Sequence, residues 1–453
     1  MTHPKLFGDK IFYRSLFTIA IPIALQNLVN SFVNVLDTVM IGSLGTTEIA
    51  AVGLGNQVFF LYTMVLFGIL SGGSVFTAQF WGKKDLQGIR HTTGLCLVLA
   101  LIAAAVFTVA CAAAPAAVIG LYSADPAVVA AGAAYLRTLA PAFAPFAISF
   151  AFGMAMRSVE KVRLPMVATL VSLSINVALN WLLIFGVGPF PTLGVVGAAA
   201  ATVVSRVVEM FILVIASYAR SYAIAGRPRE LLGFDAAFVR RYFVIVLPVM
   251  VNELIWALGI SMQNVIMART GTSSIAAFNI LNTVSQLTWV LFMGLGNGSA
   301  VLVGKKIGEG ADDEARAYAS RIVRFMPLLA AGVGLLLVPI SWLLPFIFNV
   351  GPEVFAILGA MIVIMVLSYP FRAFNMSMVI GVCRAGGDTI FCAVYDTVVM
   401  WAVSLPAAAA ASFLFGAPVW VVFLCLALED PLKMTLGIWR LKSGKWLHDV
   451  TRK

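Results

Sequence analysis

Apolar residues fill this chain in long blocks, and short polar stretches separate them. The blocks lie near 15–41, 49–79, 93–120, 131–155, 165–187, 194–218, 242–268, 275–303, 323–348, 355–382, 391–415 and 417–439. Each is long enough to cross ~30 Å of hydrocarbon at ~1.5 Å of helical rise per residue. Blocks longer than ~25 residues fit by tilting or by protruding beyond the bilayer. The pattern predicts an all-α integral membrane protein with twelve transmembrane helices.

The pattern also repeats. At a constant offset of 226, Pro22 matches Pro248, Gly45 matches Gly271 and Thr46 matches Thr272. Ile49-Ala50-Ala51 matches Ile275-Ala276-Ala277, Asn56 matches Asn282, and Gly68, Gly72 and Gly82 match Gly294, Gly298 and Gly308. Matched glycines imply one helix-packing geometry used twice, because small residues let helices approach closely. The expectation is two pseudo-symmetric six-helix lobes, 1–218 and 242–453, joined by a cytoplasmic linker at 219–241. An even number of spans per half makes these parallel repeats, which typically cradle a central site and rock about it.

Charge sets the orientation. Basic residues crowd alternate loops: Lys5, Lys10 and Arg14; Lys83, Lys84 and Arg90; Arg157, Lys161 and Arg163; Arg220 to Arg241; Lys305 to Arg324; Arg384; and Arg440 to Lys453. The opposite loops carry little beyond Arg269. The positive-inside rule makes the basic set cytoplasmic, with both termini inside. The first apolar block lacks a cleavage site and reads as a retained helix in a bacterial inner membrane.

Composition agrees. The 453 residues are 61% hydrophobic and 11% charged, with mean hydropathy +0.99. Soluble domains carry about a quarter charged residues. The net charge of +10 comes from the cytoplasmic loops, so it does not point to nucleic acid. The five Cys form no CxxC pair and read as free thiols. The three His lie outside the spans, which argues against an intramembrane His relay or metal site. Gly298 to Lys306 only approximates a phosphate-binding loop, with wrong spacing and Lys306 where Ser or Thr belongs. The chain is not expected to be an enzyme or to hold a cofactor, and its energy must come from an ion gradient or from the substrate itself.

Few charges fall inside spans, and such charges default to functional candidates. Asp37 is the sharpest, in the first span. Asn180 of the fifth span and Thr202 of the sixth lie at a similar depth, ~8–12 Å from the outer ends of their helices. Asn176 is one turn from Asn180 on the same face. A carboxylate, two amides and a hydroxyl suit Na⁺, a hard cation that prefers oxygen. Burial also favours the protonated acid, so Asp37 can carry a proton instead. The competing reading is interhelical hydrogen-bond glue.

A second polar set comprises Asn252, Glu253 and Trp256 of the seventh span with Arg372 and Asn375 of the tenth. Glu253 and Arg372 count to similar depths, ~16 Å from the cytoplasmic side, so a buried pair competes with substrate or ion contact. Asp37 aligns with Gln263 and Glu253 with Asn27, so the halves differ in chemistry. Glu209 has Arg206 three residues before it, and Glu429 and Asp430 have Lys433 four and three residues after, all helical pair spacings. Asp396 lies near the inner end of its span, within reach of water. Trp256, Trp289, Phe143 and Phe146 can stack on a cationic compound, or simply pack.

These segments carry a resemblance. Ile21-Pro22, Val35-Leu36-Asp37-Thr38 and Ile41-Gly42, then Asn176 to Gly186, Gly194 to Thr202, Cys383 to Thr389 and Ser443 to Trp446 resemble the multidrug and toxin extrusion (MATE) family in order and spacing. The resemblance implies export of small organic cations, often aromatic, by alternating access in exchange for Na⁺ or H⁺, by a monomer. It places the cation site at Asp37 with Asn176 and Thr202. Some members have Asp where this chain has Asn180. Members with a second site pair a Glu of the seventh helix with an Asp of the tenth, and the tenth span here has no acid. The alternative is a flippase for a lipid-linked saccharide, favoured by a cationic cavity. Arg206, Arg269 and Arg372 bear on that reading.

Overall fold

The computed structural model describes residues 10–342, 344 and 351–452. His3, Lys5, Lys453 and the end of the expected ninth span lie outside them. The described residues form helices, with one isolated antiparallel bridge between Gly387 and Leu447. The long helices are α1 (Lys10–Gly42), α2 (Thr46–Lys83), α3 (Leu86–Ala113), α4 (Pro126–Ser158), α5 (Arg163–Phe185) and α6 (Gly194–Ala219). The series continues with α7 (Ala236–Ala268), α8 (Thr272–Gly308), α9 (Asp312–Ser341), α10 (Pro352–Arg384) and α11 (Thr389–Leu414). Ten are long and apolar enough to cross a membrane, and α8 is an eleventh, bent by 40° between Thr272–Gln286 and Thr288–Gly308.

The last expected span is two shorter helices, α12 (Val419–Ala427) and α13 (Glu429–Ser443), meeting at Leu428. Pro431 lies just inside α13 and has no N–H for the carbonyl of Ala427, so a continuous helix would lose that bond. Elsewhere helices start where the sequence supplies caps. The carboxylates of Asp85, Asp125 and Asp235 accept from the backbone N–H of Gly88, Ala127 and Phe238 at the heads of α3, α4 and α7. Leu335, Leu336 and Leu367 are about two-thirds exposed. An apolar exterior of this kind suits lipid and would be costly in water.

The chain forms two compact units. The first is Leu25–Val246; the second joins the residues up to Ala24 to those from Leu247 onward. The division crosses α1 after Ala24 and α7 after Val246, so each unit contains the opening half of a helix from the other repeat. The repeat governs this packing. In the first unit a Cβ on Gly72 would come within 3.0 Å of the Val246 Cα. In the second a Cβ on Gly298 would meet the Ala20 Cβ at 3.3 Å. Gly72 and Gly298 are repeat mates, and so are Val246 and Ala20, which share the offset of 226. One close helix crossing therefore occurs twice, and the absence of a side chain at both glycines favours it.

Candidate functional site

In the first unit, Asp37 on α1 meets α5 and α6. Asn180 Nδ2 donates to Asp37 Oδ1 at 2.7 Å and to Asn176 Oδ1 at 3.3 Å. Asn176 Nδ2 reaches Thr202 Oγ1 at 3.4 Å, a long contact. The four residues thus form one side-chain chain across three helices. Asn176 and Asn180 are buried, whereas Asp37 and Thr202 are half-buried. Gly197 brings α6 onto α5: a Cβ there would collide with the Leu183 carbonyl. Ser172 Oγ then donates to the Ser205 carbonyl at 2.7 Å and fixes the register of the pair.

Two features of this constellation bear on its chemistry. Among the described residues, no Lys or Arg forms an ion pair with Asp37. Its one hydrogen-bonding side chain is a neutral amide. The Asn180 Oδ1 is buried and has no hydrogen-bond partner. An orphaned buried oxygen is costly in an all-protein network, as is a carboxylate without an ion pair. The Arg206 charge acts on Asp37 only from beyond ion-pair distance, since its guanidinium is paired with Glu209.

A second polar chain runs through the same unit. Arg157 donates to Gln26 Oε1 at 2.7 Å, and Gln26 Nε2 donates to Thr169 Oγ1 at 2.6 Å. Thr169 Oγ1 donates to Glu209 Oε1 at 2.6 Å, and Arg206 pairs with Glu209 Oε2 at 2.8 Å. The expected Arg206–Glu209 pair is present, and it continues to α1 and α4 through Thr169, Gln26 and Arg157. The uncharged Gln26 and Thr169 escaped the sequence reading because it considered neutral polar residues only at the depth of Asp37 or beside Glu253 and Arg372. Arg206 also lies 5.0 Å from the Phe146 ring centroid. Phe143 is fully buried, packed edge-on to Tyr62, and so contributes packing here.

The second unit corrects the expected pairing. Glu253 pairs with Arg384 at 2.5 Å, not with Arg372. Arg384 was counted among the loop charges, yet it is buried. The tenth span runs on to Arg384, and residues Ser377–Arg384 wind as a π-helix, whose turns face differently from the α-helix that depth counting assumes. Arg372 instead faces Asp430 at 3.7 Å. Asn375 Nδ2 donates to Asp430, and Asn375 Oδ1 accepts from Tyr395. Asp396 is half-buried and pairs with Lys433 at 2.7 Å. Lys433 also reaches Glu429 at 3.5 Å, as helical spacing predicted. Asn252 is buried and bonds weakly to Asp396 and Thr397, at 3.4 Å each. Trp256 and Trp289 are half-buried.

Known proteins match this architecture from end to end. The MatE family model matches residues 22–182 and 248–420, about three-quarters of the chain. The chain belongs to the MatE family. This multidrug and toxin extrusion family is the one its segments resemble, and the protein is accordingly a multi-pass membrane transporter. The uncharacterized transporter YisQ of Bacillus subtilis is 24% identical, covering 97% of this chain and 96% of its own. The probable multidrug resistance protein NorM of Thermotoga maritima is 23% identical, covering 96% and 93%. The crystal structure of a MATE protein in complex with MaL6 superposes with a TM-score of 0.86 at 17% identity, covering 98% of this chain and 99% of that one. The fold is therefore the twelve-helix, two-lobe fold of MATE transporters.

Proposed function

We propose that this MATE chain is a secondary active antiporter that exports cationic and aromatic drugs or toxins in exchange for Na⁺ or H⁺ by alternating access. Asp37 is the coupling carboxylate, and Asn176, Asn180 and Thr202 complete its cation site. The observation that carries this reading is the lone Asp37 carboxylate beside the unsatisfied Asn180 Oδ1. Proton and Na⁺ compete for one carboxylate, so occupancy by either can bias the inward–outward equilibrium if the two arrangements bind it unequally. Relatives named as multidrug resistance proteins support the substrate class. The basic loops support a cytoplasmic location for both termini in a bacterial inner membrane. Glu253 and Arg384 neutralise each other, which favours a structural role for Glu253 over direct ion contact. The flippase reading needs free intramembrane cations, whereas Arg206 and Arg372 each have a carboxylate partner and Arg269 is exposed just past the end of α7.

The test is efflux of a cationic dye from proteoliposomes under an imposed Na⁺ gradient and, separately, an imposed H⁺ gradient. One gradient should drive export of dye by the wild-type protein. Export under neither gradient would contradict the antiporter reading.

A further inference from the structure

We propose that the Lys433 ammonium is a tethered cation, filling a monovalent-cation site in the second unit whose anionic ligands are Asp396 and Glu429. The inference concerns binding and does not depend on the role of Asp37.

Lys433 is 4% exposed. Its Nζ lies 2.7 Å from Asp396 Oδ1 on α11 and 3.5 Å from Glu429 Oε2 on its own helix. Neutral groups support both carboxylates: Ser404 Oγ lies 3.4 Å from Glu429 Oε2, and Asn252 Nδ2 lies 3.4 Å from Asp396 Oδ2. Two carboxylates from α11 and α13, each held by a neutral donor, supply the anionic oxygens that a hard cation prefers. A lysine ammonium is a compact point charge with the charge of Na⁺, but its stem prevents its departure.

The neighbouring charges cannot replace it. Glu253 is paired with Arg384 and Asp430 with Arg372. Tyr395 donates to Asn375, and Cys392 donates to the Val379 carbonyl. Without Lys433, Asp396 and Glu429 would have no ion-pair partner, and only the more distant charges of Arg384 and Arg372 would act on them. Two neighbouring carboxylates so placed favour entry of a cation or a proton. The second unit thus keeps its cation permanently, while the first presents an open carboxylate.

The experiment uses the full-length purified transporter carrying Asp37→Asn, which removes any cation response of the first unit. Thermal unfolding is followed in sodium, methylammonium and choline chlorides at equal ionic strength and pH 8. In Asp37→Asn alone, the three salts should give the same Tm. Adding Lys433→Ala should produce a Tm at least ~2 °C higher in sodium or methylammonium than in bulky choline, as a ligand that binds only the folded state does. A third variant, Asp37→Asn with Asp396→Asn, Glu429→Gln and Lys433→Met, should fold and lose that response. If Lys433→Ala yields folded protein only when extracted in sodium or methylammonium, the proposal stands. Equal Tm in all three salts would overturn it. So would failure to fold in any salt while the neutral third variant folds, or a cation response that survives in that variant.

Discussion

Asp37 and the carboxylates of the second unit all lie between packed helices, yet they differ in company. Asp37 has a neutral amide and an orphaned carbonyl oxygen beside it. Glu253, Asp396, Glu429 and Asp430 each have an Arg or Lys within 4 Å. Burying an ion is costly, and a built-in countercharge offsets that cost in every state of the transporter. A carboxylate left without one must find its cation in solution. The contrast separates groups that hold the bundle together from the group able to sense a gradient, although composition alone ranks all five as intramembrane acids.

The comparison can be broken most sharply at Glu253. Glu253→Gln strands Arg384 in the interior, and the expected loss of stability is about 3–5 kcal/mol. Glu253→Gln with Arg384→Met should recover most of it. Thermal unfolding in detergent checks both. A Glu253→Gln protein of wild-type stability that no longer transports would move Glu253 from the structural class to the coupling class.

At the Asp37 site the expected stability changes are smaller. Asn180→Ala removes the donor to Asp37 and also the orphaned oxygen, so unfolding should shift by about 1 kcal/mol. Coupled efflux should nevertheless fall at least ~10-fold, the equivalent of about 1.4 kcal/mol. Parallel unfolding and efflux assays on one preparation separate the two effects. Normal coupling in Asn180→Ala would exclude it from the cation site.

Arg372→Met should have the smallest effect. The arginine side chain is 37% exposed and lies 3.7 Å from Asp430, so screening limits the pair to about 1 kcal/mol or less. A loss as large as that of Glu253→Gln would show that exposure is a poor guide to these pairs.

The Asp37 constellation was legible in sequence because depth counted from the outer helix ends survives in regular helices. Asp37, Asn180 and Thr202 stand on helices without π-turns, and the structure brings them together. The same counting failed for Glu253. The π-helical turn before Arg384 changes both depth and facing, and a basic residue at a span's end looks like a loop charge. Pro431 hid the break between α12 and α13, because a proline near a helix start and one inside a helix look alike without the start being known. The repeat was readable from identities at one constant offset, glycines among them. Their contacts with Ala20 and Val246 were not, because the offset gives correspondence rather than proximity.

The central claim is that Asp37 is the carboxylate that binds the coupling cation. Its most direct test is gradient-driven dye efflux by Asp37→Asn in proteoliposomes, with membrane yield and substrate affinity measured on the same preparation. Asn retains the shape and removes the charge. The account predicts near-normal yield, retained substrate binding and no gradient-driven export. Wild-type coupled export by Asp37→Asn would contradict it.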